Sequence, residues 1–510
     1  MNRKVLKECE SGCEYILPDY MGDIKKLLMS RARVVPTGKF VGEGNIEISG
    51  SVEYDILYAD SDGKLTAINT NSDFTHNVLT DTEKHVDSAE ESRVSALKIR
   101  VCGPRKIALK ADVETALTVS EENDFSIGGN VFSQEAPEIE KCSKLIRYAN
   151  SIFKKSGERE YAEIAAKLEK TDSSDVDIVS VSGTVHIKGA QAGEGEVTVK
   201  GENLVSAILR TQTRPPFSIK TSIPFEEVVE VDGATPEMQA MADGFISSVS
   251  IGLGNEDEDC AAVANIIAEY TVELVENVSE TVITDAYIPL RETMNKYTET
   301  EYSEAVYSGT KEFFVEAKTR KEEYGLSEVN DILACESEIR STEAQLSKNG
   351  CEFSGEILAS ALAYEANVDG SISYIPVKLQ ATFAENVIFD LQIPEGTALD
   401  YALEVKECEP YVDAENLNIR CLVVAKIHLS KLSNIKRLSF FESGESSPEY
   451  RDFSVINVYY PKTGECLFDI AKKYHTTSAK IATDNNLSES AASVLDSPES
   501  LHGVKKLIIR

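Results

Sequence analysis

Apolar and polar residues alternate along several stretches of the chain. The stretch that begins at Val263 has this period, and so does an earlier one with apolar side chains at Ile107, Leu109 and Ala111. A period of two places one face of a β-strand on a core and the other towards solvent. Turn signals separate such stretches, for example Asp-Gly at residues 62–63, a pair that favours tight hairpins. The pattern predicts a mainly β fold of antiparallel sheets.

A glycine-centred pattern occurs three times along the chain. Its glycines are Gly50, Gly201 and Gly355, spaced by 151 and 154 residues, and a second alternating stretch follows each of them. A further marker, Ser-Gly followed by charged and aromatic residues, is found at Gly157 and Gly309, which are 152 residues apart. Because independent markers keep one period, the sequence predicts three copies of one antiparallel β domain.

The period divides the chain into five predicted segments. The three β repeats take residues 1–130, 131–276 and 277–433, a linker takes residues 434–454, and a C-terminal module takes residues 455–510. The linker is predicted because this stretch is rich in Ser and Glu and shows no sustained apolar period.

Short helices are predicted inside the repeats. Apolar residues recur at intervals of three and four positions in residues 23–33 and 327–339. This spacing is typical of one face of a helix. Each repeat is therefore expected to be mainly β with a small helix.

The C-terminal module has a different pattern and a different charge. Its apolar residues predict a strand over residues 455–459, helices over 467–474 and 478–485, and a strand over 506–509. It carries seven Lys and Arg against six Asp and Glu, whereas the whole chain has a formal charge of −34. The sequence predicts a nearly neutral α+β module, with the order βααβ, after a strongly acidic β body.

Composition excludes several classes of partner. With 86 acidic and 52 basic residues, most of the surface repels a phosphate backbone, so nucleic acid is not expected as a partner. The N-terminus lacks the apolar run of a signal peptide, and no apolar run reaches the roughly 18 residues of a spanning helix. Ten cysteines without a Cys-x-x-Cys pair favour reduced thiols in the cytoplasm.

The sequence lacks recognisable catalytic and metal-binding motifs. It contains no His-Glu-x-x-His, no Gly-x-Ser-x-Gly and no phosphate-binding glycine loop, and its six histidines are scattered. The acidic run at residues 255–259 lacks the alternating ligands of an EF-hand, which favours a solvated hairpin. A glycosidase carboxylate pair stays open among the 86 acids, although no motif marks one. We expect a chain that is not an enzyme and needs neither metal nor cofactor.

The C-terminal module resembles a LysM module. The matching positions are Gly464, Leu467, Phe468, Ile470, Ala471, Tyr474, Ile481, Asn485 and Leu487. The resemblance implies a groove that binds N-acetylglucosamine polymers or a partner. Its candidate residues are Gly464, Glu465, Cys466, Leu467, Phe468, Ile470, Asn485 and Asn486. Phe468 stays open between a plain core aromatic and a ligand contact.

Three acidic β repeats ahead of a LysM-like module resemble the SPOCS-domain proteins of spore-forming Firmicutes. Residues 282–289, VITDAYIP, are similar to an Asp-Ala-Tyr segment of that family. The resemblance implies a noncatalytic role in assembly of the spore coat or envelope, in the mother-cell cytoplasm at the forespore surface. It further implies that the LysM-like module binds the ATPase of the coat basement layer, stage IV sporulation protein A.

Two functions are alternatives to a role in spore-coat assembly. A cell-wall protein that binds peptidoglycan requires export, for which the N-terminus gives no signal. A hydrolase targeted by its LysM module requires a catalytic constellation, which the sequence does not show. Cys466 in place of the usual Thr and a long loop over residues 488–502 change the groove walls, which favours a protein ligand over a sugar.

Overall fold

A computed structural model gives the structure of most of the chain. It describes residues 2–42, 44–79, 87–120, 139–168, 176–211, 214–256, 259–326, 329, 331–367, 371–446, 456–462, 464–487, 501 and 504–510. Strands dominate these ranges, and all pairings with a given register are antiparallel. The mainly β prediction is confirmed.

The first six strands form two three-stranded sheets, the first sheet pair. They are β1 (Asn2–Ile16), β2 (Ile24–Gly42), β3 (Asn45–Asp60), β4 (Leu65–Leu79), β5 (Asp87–Gly103) and β6 (Lys106–Ser120). One sheet has the order β2-β3-β4 and the other the order β1-β6-β5. The β3–β4 turn contains Gly63 at a φ of 81°, a left-handed conformation that glycine adopts without steric cost.

The second sheet pair repeats this order with one additional strand. Its strands are β7 (Glu140–Lys155), β8 (Arg159–Leu168), β9 (Asp177–Ala192), β10 (Glu196–Arg210), β11 (Phe217–Glu230), β12 (Gln239–Glu256) and β13 (Asp259–Tyr287). Strands β9, β10 and β11 form one sheet. The other sheet has the order β12-β13-β7, and β8 also pairs with β13.

The third sheet pair has the same order again, and a small α/β segment follows it. The elements of the pair are β14 (Arg291–Arg320), a 3₁₀ turn (Lys321–Tyr324), β15 (Asp331–Leu346), β16 (Gly350–Ala366), β17 (Ile372–Ile388), β18 (Thr397–Val412) and β19 (Asn416–Ser446). Its sheets are β15-β16-β17 and β14-β19-β18. The C-terminal elements are β20 (Asn457–Tyr459), α1 (Leu467–Lys473), α2 (Ser478–Asp484) and β21 (Leu507–Ile509).

The chain divides into two compact units. The larger unit takes Met1–Glu122, Asn150–Glu276 and Ala305–Ser430, and the smaller unit takes Asn123–Ala149, Asn277–Glu304 and Lys431–Arg510. The smaller unit thus joins the C-terminal elements to segments that include the beginnings of the second and third predicted repeats. The domain boundaries predicted from the sequence, including those of the LysM-like module, stay predictions.

The three marker glycines occupy the same position in three sheets. Gly50, Gly201 and Gly355 each lie on the central strand of a sheet. Opposite them on the next strand stand Phe74, Phe225 and Phe383 respectively. Glycine has no side chain, so the phenylalanine ring covers the backbone there.

Each sheet pair encloses an apolar core, and the pairs share one further cluster. In the first pair the core includes Tyr54 and Ile56 of β3 with Leu109 of β6, and equivalent cores fill the other two. Seven positions after each marker glycine, an apolar side chain packs in the shared cluster and not in the core of its own sheet pair. These side chains are Leu57, Ile208 and Leu362. The central strands are therefore buried on both faces at this end.

The two helices predicted within the repeats are wrong for the residues that the structure describes, and residues 327, 328 and 330 lie outside them. Residues 24–33 belong to strand β2, and residues 331–339 belong to strand β15. In β2, Leu27 packs in the first core whereas Leu28 packs in the shared cluster, and register shifts interrupt the pairing. Strand β15 is similarly irregular after Ile332. Burial on two faces together with bulges produced the apolar spacing that resembles a helix.

The linker prediction is wrong for the part that the structure describes. Residues 434–446 continue strand β19, and Ile435, Leu438 and Phe441 are buried in clusters of the smaller unit. Because these apolar residues are three positions apart, they do not show the alternation that identifies a strand. Residues 447–455 lie outside the described residues.

Candidate functional site

The candidate groove residues lie around the start of α1 and the end of α2. Gly464 precedes α1 at a φ of 91°, and Cys466 is the residue just before the helix. The amide of Cys466 donates to a carboxylate oxygen of Asp469 at 3.3 Å, and its thiol contacts the same oxygen at 3.2 Å. Cys466 thus serves in the cap of α1.

Glu465 closes the turn between β20 and α1. Its carboxylate accepts hydrogen bonds from the Tyr459 hydroxyl at 2.8 Å and from the Lys462 amide at 2.8 Å. The Lys462 amide and the Tyr459 hydroxyl hold the pKa of Glu465 below its usual range. These bonds occupy the carboxylate, so Glu465 has a structural role in the turn.

Asn485 ties α2 to β21. Its side-chain amide donates to the carbonyl oxygens of Ile481 at 2.9 Å and Ile508 at 2.7 Å. Its side-chain oxygen accepts from the Ile508 amide at 2.6 Å. The next residue, Asn486, is exposed and has a φ of 48°. Of the two asparagines, only Asn486 has a side chain available to a ligand.

The apolar candidate residues are core residues. Leu467, Phe468 and Ile470 are buried in one cluster with Ile481 and Leu507, and Phe468 is only 2% exposed. A side chain with this little exposure does not line an open groove. In this structure Phe468 packs as a core aromatic, and a ligand contact of its side chain stays a prediction.

Tyr287 and Asp285, from the VITDAYIP string, hold the helices of the C-terminal module. The Tyr287 ring meets the Phe468 ring edge-to-face, with centroids 5.1 Å apart, and its hydroxyl donates to the Thr476 carbonyl oxygen at 2.8 Å. Asp285 forms an ion pair with Lys472 of α1. Burial raises the pKa of Tyr287 above its ordinary value. The sequence marked this string by resemblance, but its contact with the helices could not be read from spacing.

The outer face of the antiparallel β20–β21 pair is apolar and exposed. Ile456, Val458 and Tyr460 point to this face with exposed fractions of 63%, 55% and 68%. Val458 lies opposite Ile508 in the antiparallel pair. The same register places Lys506 and Arg510 on this face, at its two ends, and both are exposed. We call Ile456, Val458, Tyr460 and Ile508 the outer strip.

A polar cluster lies in a cavity of about 1420 Å³ within the larger unit. Arg31 forms an ion pair with Asp55 and lies 3.6 Å from a carboxylate oxygen of Glu336. The Ser180 hydroxyl donates to Asp55 at 2.6 Å. Burial raises the pKa of Glu336 to about 7. These residues come from all three sheet pairs.

Neither a metal-binding cluster nor a membrane-spanning helix is found among the described residues. In that part of the chain, no three His, Cys, Asp or Glu side chains are placed to hold a metal ion. No helix there is long and apolar enough to cross a membrane. The acidic run at residues 255–259 falls partly outside the described residues.

Comparison with protein families gives a match in the first and second sheet pairs. The model of the family described as SipL, SPOCS domain, matches residues 23–95 and 176–253. The chain therefore contains SPOCS domains. The first SPOCS match spans β2 to β4 and part of β5, and the second spans β9 to β11 and most of β12. Both SPOCS matches include a marker glycine with its cross-strand phenylalanine, which are Gly50 with Phe74 and Gly201 with Phe225.

The other comparisons add little to this assignment. No curated protein matches the chain. A solved structure titled "Crystal structure of lipopolysaccharide binding protein" aligns with 52% of this chain and 91% of its own at 6% identity and a TM-score of 0.08, which is too low to support an argument. The SPOCS matches do not reach the C-terminal module, so its LysM assignment stays a prediction.

Proposed function

We propose that this SPOCS-domain protein is a noncatalytic adaptor in assembly of the spore coat or spore envelope. The family match supports a role in sporulation. In this proposal the protein works in the mother-cell cytoplasm at the forespore surface. Its acidic sheet pairs present surfaces to other coat proteins, and its C-terminal module docks one partner of the basement layer.

The outer strip is the observation that carries the docking proposal. Ile456, Val458 and Tyr460 leave an apolar surface open to solvent on a module whose core is already filled by Phe468. Such exposed apolar surfaces, rimmed by polar residues, are typical of protein-binding sites. Aromatic residues near the centre of such a site often dominate affinity. The outer strip thus takes the place of Leu467, Phe468 and Ile470 as the predicted contact.

The partner proposed for this strip is the basement-layer ATPase, stage IV sporulation protein A. Lys506 and Arg510 at the ends of the strip favour a partner surface with carboxylates around an apolar centre. The alternative is N-acetylglucosamine polymers, which would use the turn at Gly464 and the exposed side chain of Asn486. The two ligands require different faces of the module, so variants can separate them.

The experiment measures capture of purified stage IV sporulation protein A by the full chain. Tyr460→Ala removes an exposed aromatic ring from the strip, and we expect about thirtyfold weaker capture, which corresponds to about 2 kcal/mol. Tyr20→Ala is the matched control, because Tyr20 is 86% exposed and lies in the larger unit. This control should bind like the unchanged chain.

Titration of the full chain with N-acetylglucosamine oligomers completes the experiment. We expect millimolar affinity or none. Micromolar sugar binding together with unchanged capture by Tyr460→Ala would overturn the adaptor proposal and favour a peptidoglycan-binding protein.

A further inference from the structure

Three thiols are in contact in the third sheet pair. Cys335 lies on β15, Cys408 on β18 and Cys421 on β19, and all three are free. The Cys335 thiol donates to the Cys408 carbonyl oxygen at 3.1 Å, and the Ser337 hydroxyl lies 3.1 Å from the Cys408 sulfur. The Cys408 thiol is within hydrogen-bonding reach of both Cys335 and Cys421. Cys408 is therefore the centre of the cluster.

The β18–β19 hairpin places Cys408 opposite Cys421. The Asp413 amide donates to the Asn416 carbonyl oxygen at 3.0 Å, which fixes the register at the turn. Cys408 lies five positions before Asp413, and Cys421 lies five positions after Asn416. Counting outward from a hydrogen-bonded pair by an odd number of positions gives a non-hydrogen-bonded pair. In such pairs the Cα atoms are about 4.5 Å apart, within the range of roughly 4.4–6.8 Å that a disulfide spans.

Both side chains also point to the same side of the hairpin. Cys421 belongs to the core of the third sheet pair, and Cys408 packs against that core. Their sulfur atoms therefore face each other without a change in backbone. Cys335, from the opposite sheet, is the only other thiol that contacts Cys408 among the described residues.

We propose that Cys408 and Cys421 are a modification site at which a small-molecule disulfide, such as oxidised glutathione, closes a cross-strand disulfide. The half-buried Cys408 reacts first as its thiolate and forms a mixed disulfide, which releases one thiol of the oxidant. The sulfur of Cys421 then displaces the second oxidant thiol. In total two S–H bonds of the protein are lost, one S–S bond forms, and the oxidant is reduced to two thiols.

The environment makes this reaction slow at neutral pH. Contact with the Cys335 thiol and burial raise the pKa of the Cys408 thiol to about 12, although the Cys421 thiol acts in the opposite direction. The attacking thiolate is therefore scarce, and the rate should increase with pH. The bond would tie β18 to β19 within one hairpin and would leave the contact between the two sheets unchanged. A Cys335–Cys408 disulfide would instead join the two sheets.

The test is oxidation of the full chain in a Cys102→Ser background, because Cys102 is exposed and could link separate molecules. The chain is treated with oxidised glutathione in mildly alkaline buffer, free thiols are alkylated, and peptides are mapped by mass spectrometry. We expect the peptides of Cys408 and Cys421 to be joined, with Cys335 alkylated. The midpoint of thermal unfolding should rise on oxidation and return on reduction.

Two variants give the controls for this assignment. Cys335→Ser should still form the disulfide, whereas Cys421→Ser should not form it. The mapping of the chain with all three thiols decides the question even if a variant fails to fold. A Cys335–Cys408 link, or full alkylation of all three thiols after prolonged oxidation, would overturn the proposal.

Discussion

The three marker glycines are sites of close approach between strands. A Cβ atom added to Gly201 would lie 2.3 Å from the His186 carbonyl oxygen and 2.8 Å from the Phe225 ring. At Gly50 the added atom would lie 2.5 Å from the Phe74 ring. Backbone and ring therefore occupy the space of any side chain at these positions. Glycine is needed at these positions because a side chain would clash with its neighbours. Backbone conformation is not the reason, since none of the three glycines has a positive φ.

Gly201→Ala should destabilise the protein. The new methyl group would force the His186 backbone or the Phe225 ring to move, and overpacking of this kind typically costs about 1–3 kcal/mol. The measurement is the midpoint of urea unfolding. Gly189→Ala is the matched control, because Gly189 lies on the adjacent strand and an added Cβ atom there meets nothing within 4 Å. Equal midpoints for the two variants would contradict the contact argument.

At this scale the sequence predicted the glycines but not their partners. The phenylalanines follow their glycines by 24, 24 and 28 residues, because the paired strands of the third sheet are longer than those of the other two. The candidate site shows a similar division. Spacing predicted a helix from Leu467, where α1 begins. The contact between the Phe468 and Tyr287 rings could not be predicted, because the two residues are far apart in sequence.

At the scale of elements, strands that are buried on both faces were the hardest to predict. Alternation identified β6 and β13, where one face meets a core. In β2 and β15, apolar residues face two different clusters, and bulges shift the register. Neither property can be read from local spacing. The short C-terminal helices follow the predicted bounds closely because each has a polar start, such as the Thr477 side chain that accepts from the Lys480 amide.

Tyr287 should be an important contact for the C-terminal helices. Tyr287→Ala would remove a buried ring beside Phe468 and a hydrogen bond to Thr476, and truncation of a buried aromatic typically costs about 3–5 kcal/mol. Tyr287→Phe removes the hydroxyl alone and should cost about 1 kcal/mol. Hydrogen exchange of the α1 amides checks both, with faster exchange expected in the order Ala, Phe, unchanged chain. Tyr460→Ala, which truncates an exposed tyrosine of the same module, should leave α1 exchange unchanged.

At the scale of the molecule, the sequence period and the spatial units divide the chain differently. The period follows three similar sheet pairs, and two of them match the SPOCS domain. The smaller unit instead collects segments around residues 140–149, 277–304 and 431–446 with the C-terminal elements. Contacts between segments this far apart in sequence leave no local pattern, so the sequence could not show them.

Charged groups from the three sheet pairs meet at Glu336. Burial is the largest cause that raises the pKa of Glu336 from 4.5 to about 7, and Asp55 and Glu338 act in the same direction, whereas Arg31 opposes them. The folded protein therefore holds this proton more tightly than the unfolded chain does. Protonated Glu336 stabilises the fold below pH 4.5, and this contribution is lost as the pH rises to about 7.

Glu336→Gln should remove this part of the pH dependence. The amide keeps the shape of the protonated acid and does not titrate, so the variant should become more stable than the unchanged chain as the pH rises from 4.5 to about 7. Since 29% of the Glu336 side chain reaches solvent, the expected gain in stability above pH 7 is on the order of 1–2 kcal/mol.

Urea unfolding between pH 4.5 and about 7 measures this gain. Glu47→Gln, which changes an exposed residue, is the control. Other acids titrate in the same window, but they contribute equally to both chains and cancel in the difference between them. If the difference in the free energy of unfolding between the variant and the unchanged chain stays constant with pH, or grows towards acid pH, the pKa of Glu336 is not raised by its surroundings.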